Sequence, residues 1–392
     1  MKITDINALS LSRMHSLDEQ WKCADFNCVK ADASIVQVIT DEGVVGIAEA
    51  SPYGMPSVIA DNVQRIKPEL IGRDPLDALG IGLHPNGHSL SYDCAIAGID
   101  AALWDIKGKV EGKPVADLLR PHGALGSVRL YASGGCNYDW RSHPETLVAE
   151  VVDYQKQGFT ASKIRVGTKW AWDGVTPKRL LELLGEVRQV VGDNFDLMLD
   201  GNCRLTEDEA LEVGRGLDEL HFTWFEEPID RENMSGYVRL NRALDLPVTG
   251  GESWTTLEQL YPYIVSGAYA IVQPDVGISG ITETWRIVEA ADRHGIEVCP
   301  HNWHNGLLTM VQANLVAAVP HPHVLELCRH QGPLQWDILA DPPEIVDGHL
   351  KISNKPGYGV TLAEDLAERF PYVEGNWRLV FTRDDVLVRG PH

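Results

Sequence analysis

Six acidic or histidine side chains recur through the middle of this 392-residue chain at nearly even steps: Asp200, Glu226, Glu252, Asp275, His301 and Glu326. By subtraction, the intervals are 26, 26, 23, 26 and 25 residues. Most of them close a short apolar or β-branched run, as in Phe195-Asp-Leu-Met-Leu-Asp200 and Phe222-Thr-Trp-Phe-Glu226, and an amphipathic helical pattern usually follows. A barrel of repeated strand–helix units would place one functional side chain at the end of each strand in this way.

The flanking pattern extends the same unit in both directions. Val128–Ala132, Ala161–Val166, Asp196–Asp200, Phe222–Glu226, Pro247–Glu252, Ala270–Val272, Ile296–Cys299 and Val324–Leu325 read as eight strands. Helical patterns separate them, with capping boxes expected at Ser142-x-x-Glu145 and Thr206-x-x-Glu209. A helix over Leu257–Val265 is expected to be interrupted at Pro262. Strands alternating with helices imply a parallel sheet, and eight units imply a closed α/β barrel.

Residues 1–126 differ. Ile35–Ile39 and Val44–Ile47 flank the turn Asp41-Glu-Gly43, and Ala95, Ile99, Ala102, Leu103 and Ile106 form a helical stripe. This is α+β order, and the turn-rich Pro121–Gly126 marks its end. Met14–Ala33 shows neither period. It reads mainly as a surface loop, with a ligand-covering lid as the sharper alternative. The expected division is 1–126, a barrel over 127–340, and a return segment 341–392.

Composition narrows the partners. A formal net charge of −22 opposes binding to nucleic acid or anionic lipid. No apolar run reaches membrane-spanning length. Seven scattered cysteines without a CxxC pair read as reduced thiols, so a cytoplasmic setting is expected. A small-molecule carboxylate remains compatible, because a cleft can reverse the global sign locally. A homo-oligomer is compatible with the surface charge.

Asp200, Glu226 and Glu252 would converge at the barrel mouth, where three carboxylates repel unless they share a cation. Oxygen-only ligands select a hard divalent ion, most plausibly Mg²⁺. Surface carboxylates are the bland alternative in a chain with 56 acidic residues, but three successive strand ends are the more specific pattern. Asp275 could accept the Nδ1–H of His301 and raise its basicity, making a general base. His301-x-x-His304 also suggests zinc, without a third nitrogen or sulfur ligand at a supporting spacing. Lys163 and Arg165, two apart on one strand, point the same way. Lysine could be a proton-transfer base or a carboxylate anchor, whereas arginine stays charged.

Taken together, the helix Ala95–Lys109, Lys163-x-Arg165, Asp200-x-Asn202, Glu226-Glu-Pro228, Gly251-Glu252, Asp275 with His301, and Glu326 resemble the enolase superfamily and its mandelate racemase branch. The resemblance implies a modified (β/α)8 barrel capped by an α+β domain made from both termini. It implies Mg²⁺ on Asp200, Glu226 and Glu252, chelated by a substrate carboxylate. His301, oriented by Asp275, would remove the α-proton. Lys163 would neutralise the carboxylate, and a protonated Glu326 would donate a hydrogen bond to it. The capping loops Met14–Ala33 and Ser51–Gly54 would choose the substrate, with Trp21, Lys22, Tyr53, Asn202, Trp254, Trp303 and His304 as pocket candidates.

Many racemising relatives end the Lys163 motif in a second lysine, and this chain has Arg165. Racemisation needs acid–base groups on both faces of the α-carbon, but dehydration needs one. The expectation is therefore an acid-sugar dehydratase, a lyase giving a 2-keto-3-deoxy acid. A racemase, epimerase or cycloisomerase is the alternative, and a non-catalytic carboxylate binder is the contrasting class.

Overall fold

A computed structural model describes residues 1–79, 89–321 and 324–382. Its first layer is an antiparallel sheet. Strands β1 (Ile3–Met14), β4 (Lys30–Thr40) and β5 (Val45–Ala50) lie in the order β1-β4-β5, and β4 and β5 turn at Gly43 with φ of +79°. The two expected hairpin runs are present, extended at their ends. Between β1 and β4, β2 (Trp21–Cys23) and β3 (Phe26–Cys28) form a second hairpin. More than half of Met14–Ala33 is therefore strand rather than surface loop, and Lys30–Ala33 already belongs to β4. Three-residue strands are too short to show a period, which is why the pattern was silent there.

The helix Leu90–Glu111 packs on β4 and β5. Ser89 caps its start through Tyr92 N–H, and Gly112 ends it in the left-handed region. Its other side meets the barrel helix Val276–Arg293, so it is buried around most of its circumference. Gly46 permits the close approach, since a Cβ there would lie 2.1 Å from the Ala102 carbonyl oxygen.

Eight parallel strands follow: β6 (Ser127–Ser133), β7 (Ala161–Arg165), β8 (Asp196–Asp200), β9 (Trp224–Glu226), β10 (Val248–Gly250), β11 (Ile271–Val272), β12 (Glu297–Val298) and β13 (Leu325–Cys328). They are adjacent in chain order from β6 to β12, and β13 pairs β6, which brings the last strand beside the first. The barrel helices pack their apolar faces outside the strands, in a core that includes Leu184, Val187, Leu199, Val213, Phe225 and Ile287.

Local signals fared unevenly. Thr206 and Glu209 form a complete capping box. Ser142 does not cap: its Oγ bonds Asp139, and the helix Thr146–Lys156 starts at Glu145 without a side-chain cap. Pro262 does not interrupt its helix, which runs Leu257–Ser266 to a left-handed Gly267. The proline removes one donor, to the Glu258 carbonyl in the first turn, and the helix continues past it.

After the barrel, β14 (Ile345–Val346) and β15 (His349–Lys351) form the hairpin expected at Asp347-Gly348. It pairs antiparallel with β6, so this part of the return segment extends the barrel sheet rather than the N-terminal layer. Beyond it, Tyr358 donates its hydroxyl hydrogen to Ala101 O, and β16 (Arg378–Val380) pairs β3.

Candidate active site

The register of β7, β8 and β9 sets the site. Arg165 lies opposite Asp200, and Asp200 opposite Glu226. Both carboxylates end their strands, as expected. Glu252, Asp275 and His301 lie two or three residues past the ends of β10, β11 and β12, and Glu326 lies inside β13. The repeat therefore marks one rim of the barrel through strand ends and the first residues of the following loops.

Each of the first three carboxylates is matched to a cation. Arg165 Nε is 3.0 Å from Asp200 Oδ2, Lys163 Nζ contacts Glu226 Oε1, and His301 Nε2 is 3.6 Å from Glu252 Oε2. Glu226 is fully buried and is pushed up to about 7, first by burial and then, against Lys163, by Asp200, Glu326 and Glu252. Mutual repulsion among acids on adjacent strands is the electrostatic signature of a cation site. The all-oxygen donor set fits a hard divalent ion. Among the described residues, the set of three whose donor atoms approach within 4.8 Å of one another is instead Asp275, His301 and His304.

That second set is a hydrogen-bonded cluster. Asp275 Oδ2 lies 2.9 Å from His301 Nδ1 and 2.7 Å from His304 Nε2, while Oδ1 accepts from Gly277 N–H at 2.7 Å and caps the following helix. One carboxylate oxygen thus bonds two imidazoles directly, in place of a metal between them. Burial alone would raise the Asp275 carboxyl, but His304 and His301 hold it below its ordinary range. His301 is pushed up to about 10: burial opposes the charge, and Glu252, the bond to Asp275, and Glu326 outweigh it.

Lys163 and Glu326 lie side by side in the site. Burial disfavours charge on Lys163, but Glu226, and Glu326 at 2.9 Å, hold it well above its ordinary value. Glu326 accepts from Ser133 Oγ at 2.5 Å and from Asn302 N–H at 2.6 Å. Burial would raise it, yet Lys163, His301 and these donors lower it to about 2. Its contacts with Lys163, Ser133 and Asn302 are all to donors, so in this structure it accepts.

Arg165 stacks on Trp303, with its guanidinium carbon 4.2 Å from the ring centroid. Trp21 and Trp303 lie buried in an aromatic cluster with Phe26, His330 and Trp377. Tyr53 bonds Trp303 O at 3.1 Å and borders a cavity of about 370 Å³, which Trp254, Arg231, Glu252, Asp275 and His301 also line. Lys22 is paired instead with Asp139 at 3.4 Å, away from that cavity. Asn202 has φ of +47°, donates its N–H to Asp200 Oδ1 and accepts from Arg204.

Sequence reading missed Gln273, whose Nε2 donates to Glu226 Oε2 at 2.6 Å. No strand period marks it, because Gln273 lies one residue past the end of β11. It also missed Ser133, Arg204 and Cys23, for which no local pattern points inward.

Comparison with known proteins decides the family. Residues 16–120 match the mandelate racemase / muconate lactonizing enzyme N-terminal domain, and residues 146–366 match the enolase C-terminal domain-like family. The chain belongs to the enolase superfamily. Within it, the chain is 30% identical over 385 residues to a D-galactarolactone cycloisomerase of Agrobacterium fabrum, covering 94% of this chain and 99% of the relative. It is 31% identical over 342 residues to an arabinonate dehydratase of Saccharolobus solfataricus, covering 85% and 89%. A mandelate racemase/muconate lactonizing protein from Paracoccus denitrificans, solved in complex with magnesium, superposes with a TM-score of 0.78 at 27% identity, over 94% of this chain and 98% of that one. As a superfamily member with dehydratase and cycloisomerase relatives, this chain is an enzyme.

Proposed function

We propose that this enzyme dehydrates a sugar acid, an aldonate or aldarate, to a 2-keto-3-deoxy acid in a Mg²⁺-dependent reaction. The observation that carries the reading is the buried Asp275–His301 pair, whose free Nε2 faces Glu252 at the wall of the cavity. Asp200, Glu226 and Glu252 would hold the metal. Bound there, Mg²⁺ would supply positive charge to the substrate carboxylate as the enediolate develops.

Lys163 is the residue placed to add a second positive charge beside that carboxylate, held by Glu226 and Glu326. His301 takes the α-proton at Nε2. It must be neutral to do so, and committing Glu252 to a cation removes the strongest attraction that keeps it an imidazolium. The imidazolium then donates its proton to the departing β-hydroxyl, so one residue serves both steps. Across the site, Arg165 is fixed by Asp200 and Trp303 and stays charged, so it offers no second base.

Cycloisomerisation of a sugar-acid lactone is the second reading, favoured by the nearly full-length similarity to the D-galactarolactone cycloisomerase. It also needs only one base. Incubation of the enzyme and Mg²⁺ with aldonic acids, aldaric acids and their lactones separates the two. Dehydration lowers product mass by one water and yields a 2-keto acid; cycloisomerisation leaves mass unchanged. EDTA should abolish turnover and Mg²⁺ restore it. Absence of product from every acid would end the dehydratase reading.

A further inference from the structure

Four of the seven cysteines, scattered in the sequence, come together where the capping layer meets the barrel mouth. Cys23, Cys28, Cys136 and Cys328 share one buried cluster with Trp21, Phe26 and Trp303. Cys23 and Cys28 come from the β2–β3 hairpin, Cys136 from the loop after β6, and Cys328 from the end of β13. All four are free thiols.

Their surroundings differ sharply. Burial pushes Cys28 and Cys328 up to about 12, where a thiol is inert. Cys23 is equally buried, but its Sγ lies 3.2 Å from Arg204 Nη2 and 3.6 Å from Arg165 Nη1. The Cys136 thiol lies within hydrogen-bond reach of it, and also faces Gly134 O at 3.6 Å. The Cys136 contact first, and the two guanidinium groups after it, hold Cys23 well below its ordinary value against the effect of burial. The backbones are already tied, since Lys22 donates its N–H to Cys136 O at 2.9 Å. Cys203 is the most exposed thiol, but burial and then Glu227 raise it well above its ordinary value. Exposure and thiolate character therefore select different cysteines.

We propose that Cys23 and Cys136 form a redox modification site, a reversible disulfide that staples the capping hairpin to the barrel mouth. The oxidant is a hydroperoxide. The Cys23 thiolate attacks the peroxide oxygen; an S–O bond forms, the O–O bond breaks, and the alkoxide or hydroxide leaves. The Cys136 thiol then attacks the sulfenic sulfur. An S–S bond forms, the S–O bond breaks, and hydroxide leaves with the Cys136 proton as water. Two electrons pass from the thiols to the peroxide, and a dithiol reverses the change. Access accompanies lifting of the hairpin, whose backbone bonds to the barrel side are Lys22 to Cys136, Ala24 to Gly167 and Lys169 to Ala24. Oxidation takes the Cys23 sulfur from its contacts with Arg165 and Arg204, one contact away from Asp200.

The test is covalent and needs no turnover. Full-length enzyme is treated with hydrogen peroxide, alkylated after unfolding and mapped by mass spectrometry without reduction. The expected product is a Cys23–Cys136 cross-linked peptide that dithiothreitol abolishes, with Cys28, Cys94, Cys299 and Cys328 still alkylated. In Cys136→Ser the cross-link disappears and dimedone labels Cys23 as the sulfenic acid. Oxidation that falls first on Cys203, a cross-link between Cys28 and Cys328, or Cys23 left unmodified in both proteins overturns the proposal.

Discussion

At His301 the neighbours decide the chemistry. Asp275 fixes Nδ1, Glu252 faces Nε2, and His304 bonds the same aspartate oxygen. His301→Asn keeps a polar side chain of similar reach and removes the base. Turnover should fall by about 10²- to 10⁴-fold, the usual contribution of a positioned acid–base group. Magnesium binding, read by calorimetry, should persist, because the carboxylates are untouched. Turnover near that of the parent would place the base elsewhere, and loss of metal binding as well would point to a collapsed site. The pairing of Asp275 with His301 was legible because successive strand ends are neighbours. The partners of Glu326 were not, because Lys163, Ser133 and Asn302 reach it from distant parts of the chain.

Among the elements, two identical local motifs had opposite outcomes. Thr206 caps its helix through Glu209 N–H, with Glu209 bonding back to Thr206 N–H, whereas Ser142 bonds Asp139 outside the helix. Thr206→Ala should therefore cost about 1 kcal/mol in urea denaturation, and Ser142→Ala should stay within about 0.5 kcal/mol. Equal costs would mean that the capping geometry carries no weight. The reason the motif misleads at residue 142 is positional. Pro144 forms part of the turn before the helix, so the first helical residue shifts to Thr146 and leaves the serine too far upstream.

For the whole molecule, Glu49 joins the capping sheet to the barrel. From β5 its carboxylate accepts from Asn305 Nδ2 at 2.6 Å and from Leu308 N–H at 3.1 Å, at the start of the helix Gly306–Ala318. Burial pushes it up to about 7, with the Asn305 bond opposing. A carboxyl raised on folding binds more protons in the native state. Its contribution is full below the unfolded value of 4.5 and is lost as pH rises through about 7. In Glu49→Gln that dependence disappears. The stability of the variant relative to the parent should rise from pH 4.5 to 7 and level off above, measured by thermal unfolding at each pH. A constant difference across the window would show that Glu49 does not change its protonation on folding. The offset from placing an amide nitrogen near one donor is independent of pH and leaves the slope readable.

The even recurrence of Asp200, Glu226, Glu252, Asp275, His301 and Glu326 determined by itself that strand–helix units repeat and that one rim carries the polar groups. Period and spacing are local quantities, written along the chain. The tertiary structure decided which charges neutralise which. Only folding sets Lys163 between Glu226 and Glu326, turns Met14–Ala33 into sheet against Arg165, and lays the β14–β15 hairpin on β6. It also brought Cys23 from the β2–β3 hairpin to Arg165 and Cys136 in the barrel. Such contacts depend on distances through space between residues far apart in the chain, and no periodicity along it encodes them.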